Sequence, residues 1–156
     1  MAGAGGAGAS QTDTSSWREL RIAPILTGGT SLAVWIGGVT AELYRVVNCL
    51  DEPRPADRVY RRLLELTRTR AVVDVVTGTS AGGLNGVLLS TSWALRVPTE
   101  EVVRLRDTWL GLGDISALLR SPNEKSPPSL LRGDDYFWPQ LTGVMTRLGG
   151  AGAAGP

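Results

Sequence analysis

One stretch constrains this chain more than any other: Val72 to Leu89, which reads V-V-D-V-V-T-G-T-S-A-G-G-L-N-G-V-L-L. Five of its first six residues are β-branched and favour an extended strand. The run G-T-S-A-G, Gly78 to Gly82, follows, and a helix-forming segment follows that. A serine with glycine two positions away on each side, between a strand and a helix, is the nucleophile-elbow arrangement. Side chains at 78 and 82 would collide with the adjoining strand and helix as the backbone reverses, and glycine removes the collision. Gly78, Thr79, Ser80, Ala81 and Gly82 are therefore expected to hold the Ser80 hydroxyl at the C-terminal end of a strand. The N–H of Ala81, at a helix N-terminus, would face a developing oxyanion. The plainer alternative is a Gly-rich turn that packs a strand on a helix. A phosphate cradle fits poorly, because G-x-G-x-x-G is absent from the turn and Leu84-Asn85 stands where a P-loop carries Lys-Ser/Thr.

Composition restricts the mechanism. The chain has no histidine, so it contains no Ser-His-Asp triad. Its one lysine, Lys125, lies in a polar, Pro-rich loop. A serine–aspartate dyad is the remaining simple arrangement.

The run G-T-S-A-G-G-L-N-G, Gly78 to Gly86, closely resembles the elbow of the patatin-like phospholipases, which use a serine–aspartate dyad. Gly28-Gly29, about fifty residues upstream, resembles that family's glycine-rich oxyanion loop. The wording L-T-G-G-T-S-L-A-V-W-I-G-G-V, Leu26 to Val39, is closer to bacterial members than to plant ones. The resemblance covers roughly residues 19 to 147 and only the front part of the family's catalytic domain. It implies an α/β fold, a parallel-sheet three-layer patatin-like architecture, incomplete in this chain. It also implies a lipid ester as substrate, with peripheral membrane contact, and no metal or other cofactor. Ser80 would be the nucleophile, and the N–H groups at Gly28, Gly29, Thr30 and Ala81 would form the oxyanion hole. A plain βα turn is the alternative at Gly28 to Thr30. The match departs from the family pattern where Thr30 replaces a third glycine and Leu32 replaces a basic residue. The family's dyad aspartate sits in a downstream Asp-Gly motif, and this chain has no Asp-Gly dipeptide.

At 156 residues there is room for one domain with a core. Net charge is +1 and no basic run occurs, which argues against nucleic acid as a partner. Cys49 is alone, so no internal disulfide forms, and a small buried residue is its expected role. No apolar window approaches the roughly eighteen residues of a membrane span, and the N-terminus lacks the pattern of a secretory leader. The expected setting is cytoplasmic, with membrane association as the variant that a lipid substrate would bring.

The expected layout is a disordered Ala/Gly/Ser-rich tail at 1–16, the partial hydrolase domain at 17–148 and a flexible tail at 149–156. A first strand is expected at Arg21 to Leu26. A helix is expected at Ser31 to Asn48, with Leu32, Trp35, Ile36, Val39, Leu43, Val46 and Val47 on its apolar side. Gly37-Gly38 in that helix would pack against a sheet. An amphipathic helix is expected at Asp57 to Arg68, with Val59, Leu63, Leu64 and Leu66 apolar and the arginines on the other face, read as a solvated surface with a membrane-binding one as the alternative. The second strand, Val72 to Val76, should be buried on both faces of a parallel sheet. Asp74 within it is too far along the strand to serve Ser80 and is read as a buried structural carboxylate. Helices should follow at Ala81 to Leu95, at Glu100 to Leu110 with Thr99 as cap, and at Asp114 to Leu119. Tyr136, Phe137 and Trp138 are read as core or interdomain contacts, with an acyl-pocket lining as the alternative. Exposed sheet edges would favour association.

Three functions stay open on these residues. They are a lipid acyl hydrolase lacking its base in this chain, a non-catalytic α/β interaction module, and a small-anion binder at two helix N-termini. The absence of nearby Lys or Arg in both loops weighs against the third.

Overall fold

The computed structural model describes residues 16–153. The expected N-terminal tail, Ser16 apart, lies outside them, as do residues 154–156. The chain is mixed α/β. It runs β1 (Arg18–Ile22), β2 (Ile25–Leu26), α1 (Ala33–Asn48), α2 (Arg58–Thr67), β3 (Thr69–Val73), β4 (Thr77–Gly78), α3 (Ala81–Ala94), α4 (Thr99–Leu112), α5 (Ile115–Leu118) and α6 (Trp138–Ala153). Short 3-10 turns precede α1 and α2, and a π-helical turn, Gly133–Phe137, precedes α6.

Two parallel strand lines carry the elbow. β1 pairs with β3 from Arg18↔Thr69 to Ile22↔Val73, and β2 pairs with β4 from Ile25↔Thr77 to Leu26↔Gly78. The partner offset is 51 residues in the first ladder and 52 in the second, so the second line holds one extra residue between Val73 and Thr77. Pro24, which has no N–H, breaks the first line at the same level, and its carbonyl accepts from the Thr77 N–H at 3.0 Å. The strand expected at Arg21 to Leu26 is thus the end of β1 followed by β2. The one expected at Val72 to Val76 holds only the last two residues of β3, which starts earlier, at Thr69; residues 74–76 lie between strands.

The second strand is not buried on both faces: only Ala71 of β3 is buried, and β1 is exposed except at Ile22. The core lies instead among the helices, where Tyr44, Leu88, Leu89, Val97, Val102, Leu105, Trp109, Leu112, Val144 and Leu148 join one cluster. α3 is its centre, apolar around most of its circumference.

α1 buries Ile36 as expected, but the rest of its buried face is rotated from the expected side. Ala33, Ile36, Gly37, Thr40, Ala41 and Tyr44 point inward, while Trp35 is 67% exposed. The small residues let α4 approach: a Cβ on Gly37 would lie 2.9 Å from Trp109 Cδ1. The neighbour of that glycine is therefore a helix and not a sheet, and Gly38 faces open space.

Asp74 is also corrected. It is exposed and accepts from Arg21 Nη1 at 2.8 Å. The buried carboxylate is Asp57, held by Arg45 Nε at 2.6 Å and Arg54 Nη1 at 3.5 Å. Thr99 does not cap α4. Pro98 occupies that position, and the buried Thr99 hydroxyl donates to Glu52 Oε2 at 3.2 Å. α6 continues through Gly149 and Gly150 to Ala153, so residues 149–153 extend a helix where a flexible tail was expected. Gly152 lets that last turn close on α3's end, since a Cβ there would lie 2.6 Å from the Leu95 carbonyl oxygen. Cys49 is a free, buried thiol.

Candidate active site

The elbow is built from close backbone contacts. β4 ends at Gly78, the chain reverses through Thr79 and Ser80, and α3 begins at Ala81. Ser80 has φ 52° and ψ −130°, a conformation that costs an L-residue on the order of 1–3 kcal/mol. Three hydrogen bonds hold it there. Thr79 N–H donates to the Leu26 carbonyl at 3.1 Å, Gly83 N–H to Thr79 at 3.1 Å and Leu84 N–H to Ser80 at 3.1 Å.

Glycine is required on both sides. A Cβ on Gly78 would lie 2.6 Å from the Gly82 carbonyl oxygen, and a Cβ on Gly82 would overlap the Leu26 carbonyl. The upstream turn meets this structure directly. A Cβ on Gly28 would press on the Gly82 nitrogen and lie 2.7 Å from the Thr79 oxygen and 3.1 Å from the Ala81 nitrogen.

Gly28 thus keeps open the space in front of the first two N–H groups of α3. Neither the Ala81 nor the Gly82 N–H has an acceptor among the described residues, as expected for a helix start. Gly29 faces open space, and its carbonyl accepts from Leu32 N–H at 2.9 Å. Thr30 begins the 3-10 turn that leads into α1. Of the upstream residues singled out in the sequence, Gly28 is the one pressed against the elbow. Gly82, counted there only as a turn residue, presents a second free N–H.

Ser80 opens onto an apolar cavity of about 560 Å³. Its walls are Ala81 and Leu84 of α3, Trp109 and Leu112 of α4, and then Leu118, Leu131 and Phe137. Phe137 belongs to the aromatic run and both lines the cavity and packs on the core. Tyr136 instead donates to the Gly111 carbonyl at 3.1 Å, and Trp138 is exposed. A larger cavity of about 760 Å³ between α4 and α6 is lined by charged groups such as Glu101, Arg104 and Arg147, and Ser80 does not reach it.

Asn85 organises the site from beneath. It is buried, its Oδ1 accepts from Trp109 Nε1 at 2.8 Å, and its Nδ2 donates to the carbonyls of Ala81 at 3.0 Å and Ala33 at 3.3 Å. One amide therefore ties the first turn of α3 to the start of α1 and to the cavity wall. Its signal in the sequence was a single amide inside an otherwise apolar and small-residue helix.

Among the described residues the Ser80 hydroxyl has no hydrogen-bond partner. Asp135 is exposed and does not line this cavity. Burial works against its charge, but the hydrogen bond from Arg132 and the charge of Arg120 hold its carboxyl below the usual range. It accepts from Arg120 at 3.3 Å and from Arg132 at 3.2 Å. No group of three or more His, Cys, Asp or Glu placed to hold a metal occurs among the described residues.

No family profile matches the chain, and no solved structure matches it. Among curated proteins, the chain is 36% identical over 159 aligned residues to the uncharacterized membrane protein Rv3479 of Mycobacterium tuberculosis. The alignment takes in 92% of this chain and 14% of that protein, so the chain spans about one-seventh of the relative's length. Among the described residues no helix is long and apolar enough to cross a membrane.

Proposed function

We propose that this chain carries the nucleophile half of a serine acyl hydrolase of the patatin-like type, acting on lipid esters. One observation carries the reading. Ser80 sits at φ 52° between a parallel strand and a helix start whose free N–H groups are kept accessible by Gly28, at the mouth of an apolar cavity. In this mechanism Ser80 Oγ attacks the ester carbonyl carbon and passes its proton to a carboxylate base from outside the described residues. The carbonyl oxygen becomes an oxyanion facing the N–H groups of Ala81 and Gly82, with Gly29 and Thr30 beside them. The C–O bond to the alcohol breaks as the alcohol takes the proton. Water then attacks the acyl-serine carbon and gives a proton to the same base; the bond from that carbon to Ser80 Oγ breaks, the base returns the proton to Ser80 Oγ, and the acid leaves.

A three-layer patatin-like fold follows from the same reading, with this chain supplying its first strands and helices. So does work at a membrane, which agrees with the description of the relative as a membrane protein. A non-catalytic interaction module is the second reading, favoured by the unpartnered Ser80 hydroxyl.

Chromogenic esters of increasing acyl length separate the two. Burial of each methylene is worth about 0.8 kcal/mol, so kcat/KM should rise by up to about fourfold per carbon until the cavity is filled. The absolute rate should be low without the base, and Ser80→Ala should abolish it. A rate independent of chain length, or one that survives Ser80→Ala, contradicts the proposal.

A further inference from the structure

α2 turns its apolar residues outward. Val59, Leu63 and Leu66 are 75%, 58% and 67% exposed, and only Leu64 of the helix is buried. Helical spacing sets the three on one side, with Arg58 and Arg62 one turn apart beside them, and these five line a shallow open groove. The opposite side is engaged: Tyr60 Oη donates to Glu42 Oε2 at 2.7 Å. Arg58 and Arg62 have no ion-pair or hydrogen-bond partner among the described residues. The helix's one acid, Glu65, is paired with Arg61 at 3.6 Å.

We infer that this face of α2 docks on an anionic lipid surface. Val59, Leu63 and Leu66 enter the boundary between headgroups and acyl chains, and Arg58 and Arg62 meet the phosphates. Charge complementarity selects this occupant. A second copy docked antiparallel on α2 about a two-fold axis would bring Arg62, in the middle of the helix, close to its own like charge. α2 is also short. Its ten residues span about 15 Å, too little for the roughly 800 Å² per partner of a stable protein interface. A bilayer imposes neither condition. The inference does not rest on the chemistry of Ser80.

Flotation of the full chain with phosphatidylcholine vesicles, with and without phosphatidylglycerol, tests it. The chain should float with the anionic vesicles and several-fold less with the neutral ones. Leu63→Ser with Leu66→Ser should lower binding at least about tenfold without changing the circular dichroism, since both side chains are exposed. Arg58→Gln with Arg62→Gln should lower it by about fivefold per arginine. Ser80→Ala and Ile25→Ser, the latter on the exposed sheet side, should leave it unchanged. Four outcomes overturn the inference. They are no flotation of the wild-type chain, equal flotation with both vesicles, equal flotation of the Leu63/Leu66 variant, and a loss in Ile25→Ser as large as in that variant. A dimer in light scattering that the Leu63/Leu66 variant dissociates would assign the face to a second copy instead.

Discussion

Gly82 and Gly29 are both glycines beside the elbow, and they should respond oppositely to one added carbon. At Gly82 a Cβ overlaps the Leu26 carbonyl, which is backbone and cannot swing aside, so β2 must move from α3. At Gly29 a Cβ meets nothing within 4 Å. Gly82→Ala should lower the stability by about 1–3 kcal/mol, read as a shift of the urea midpoint, and should displace Ser80. Gly29→Ala should stay within about 0.5 kcal/mol of the native chain. Equal midpoints for the two variants would mean that the strand and helix do not pack this closely. The requirement at Gly78 and Gly82 was legible from the sequence because it arises within five consecutive residues. That at Gly28 was not, because the atoms it would strike lie about fifty residues away.

Between elements, Tyr44 is a clear tie. It is 1% exposed, lies on α1, donates to the Val97 carbonyl at 2.6 Å beyond the end of α3, and stacks on Trp93 at 5.7 Å. Burial, with the charge of Glu52 behind it, pushes its phenol up to about 12 from an ordinary value of 10. Above pH 10 the unfolded chain loses this proton while the native chain keeps it, so rising pH favours unfolding. The contribution is fully present below pH 10 and is lost as pH rises through about 12, roughly 2–3 kcal/mol over that window. Urea midpoints measured across it should fall for the native chain and fall less for Tyr44→Phe. Identical slopes would contradict the account. The sequence showed that α1 is a helix, because the period of its apolar residues is strong. It misled on which face is buried, because the large side chains such as Trp35 turn outward and the small ones admit α4. Which face of a helix is covered depends on the partner, and Trp109 lies more than seventy residues downstream of Gly37.

In the molecule as a whole the helices supply the core and the strands stand at its margin, with Leu20 of β1 and Ile25 of β2 exposed. The α/β character and the strand–turn–helix order were legible, because each follows from a local run. The break at Pro24, the extra residue before Thr77 and the location of the core were not, because they depend on how distant segments meet. This arrangement concentrates the strain at Ser80, the free N–H groups of α3 and the mouth of the apolar cavity on one side of the strand ends. The account stands or falls on whether that serine is a nucleophile. The direct measurement is intact-mass analysis after treatment with a fluorophosphonate probe, on the native chain and on Ser80→Ala, both shown to be folded by circular dichroism. The account predicts a single adduct on the native chain and none on the variant. No adduct on the folded native chain, or the same adduct on both, would contradict it.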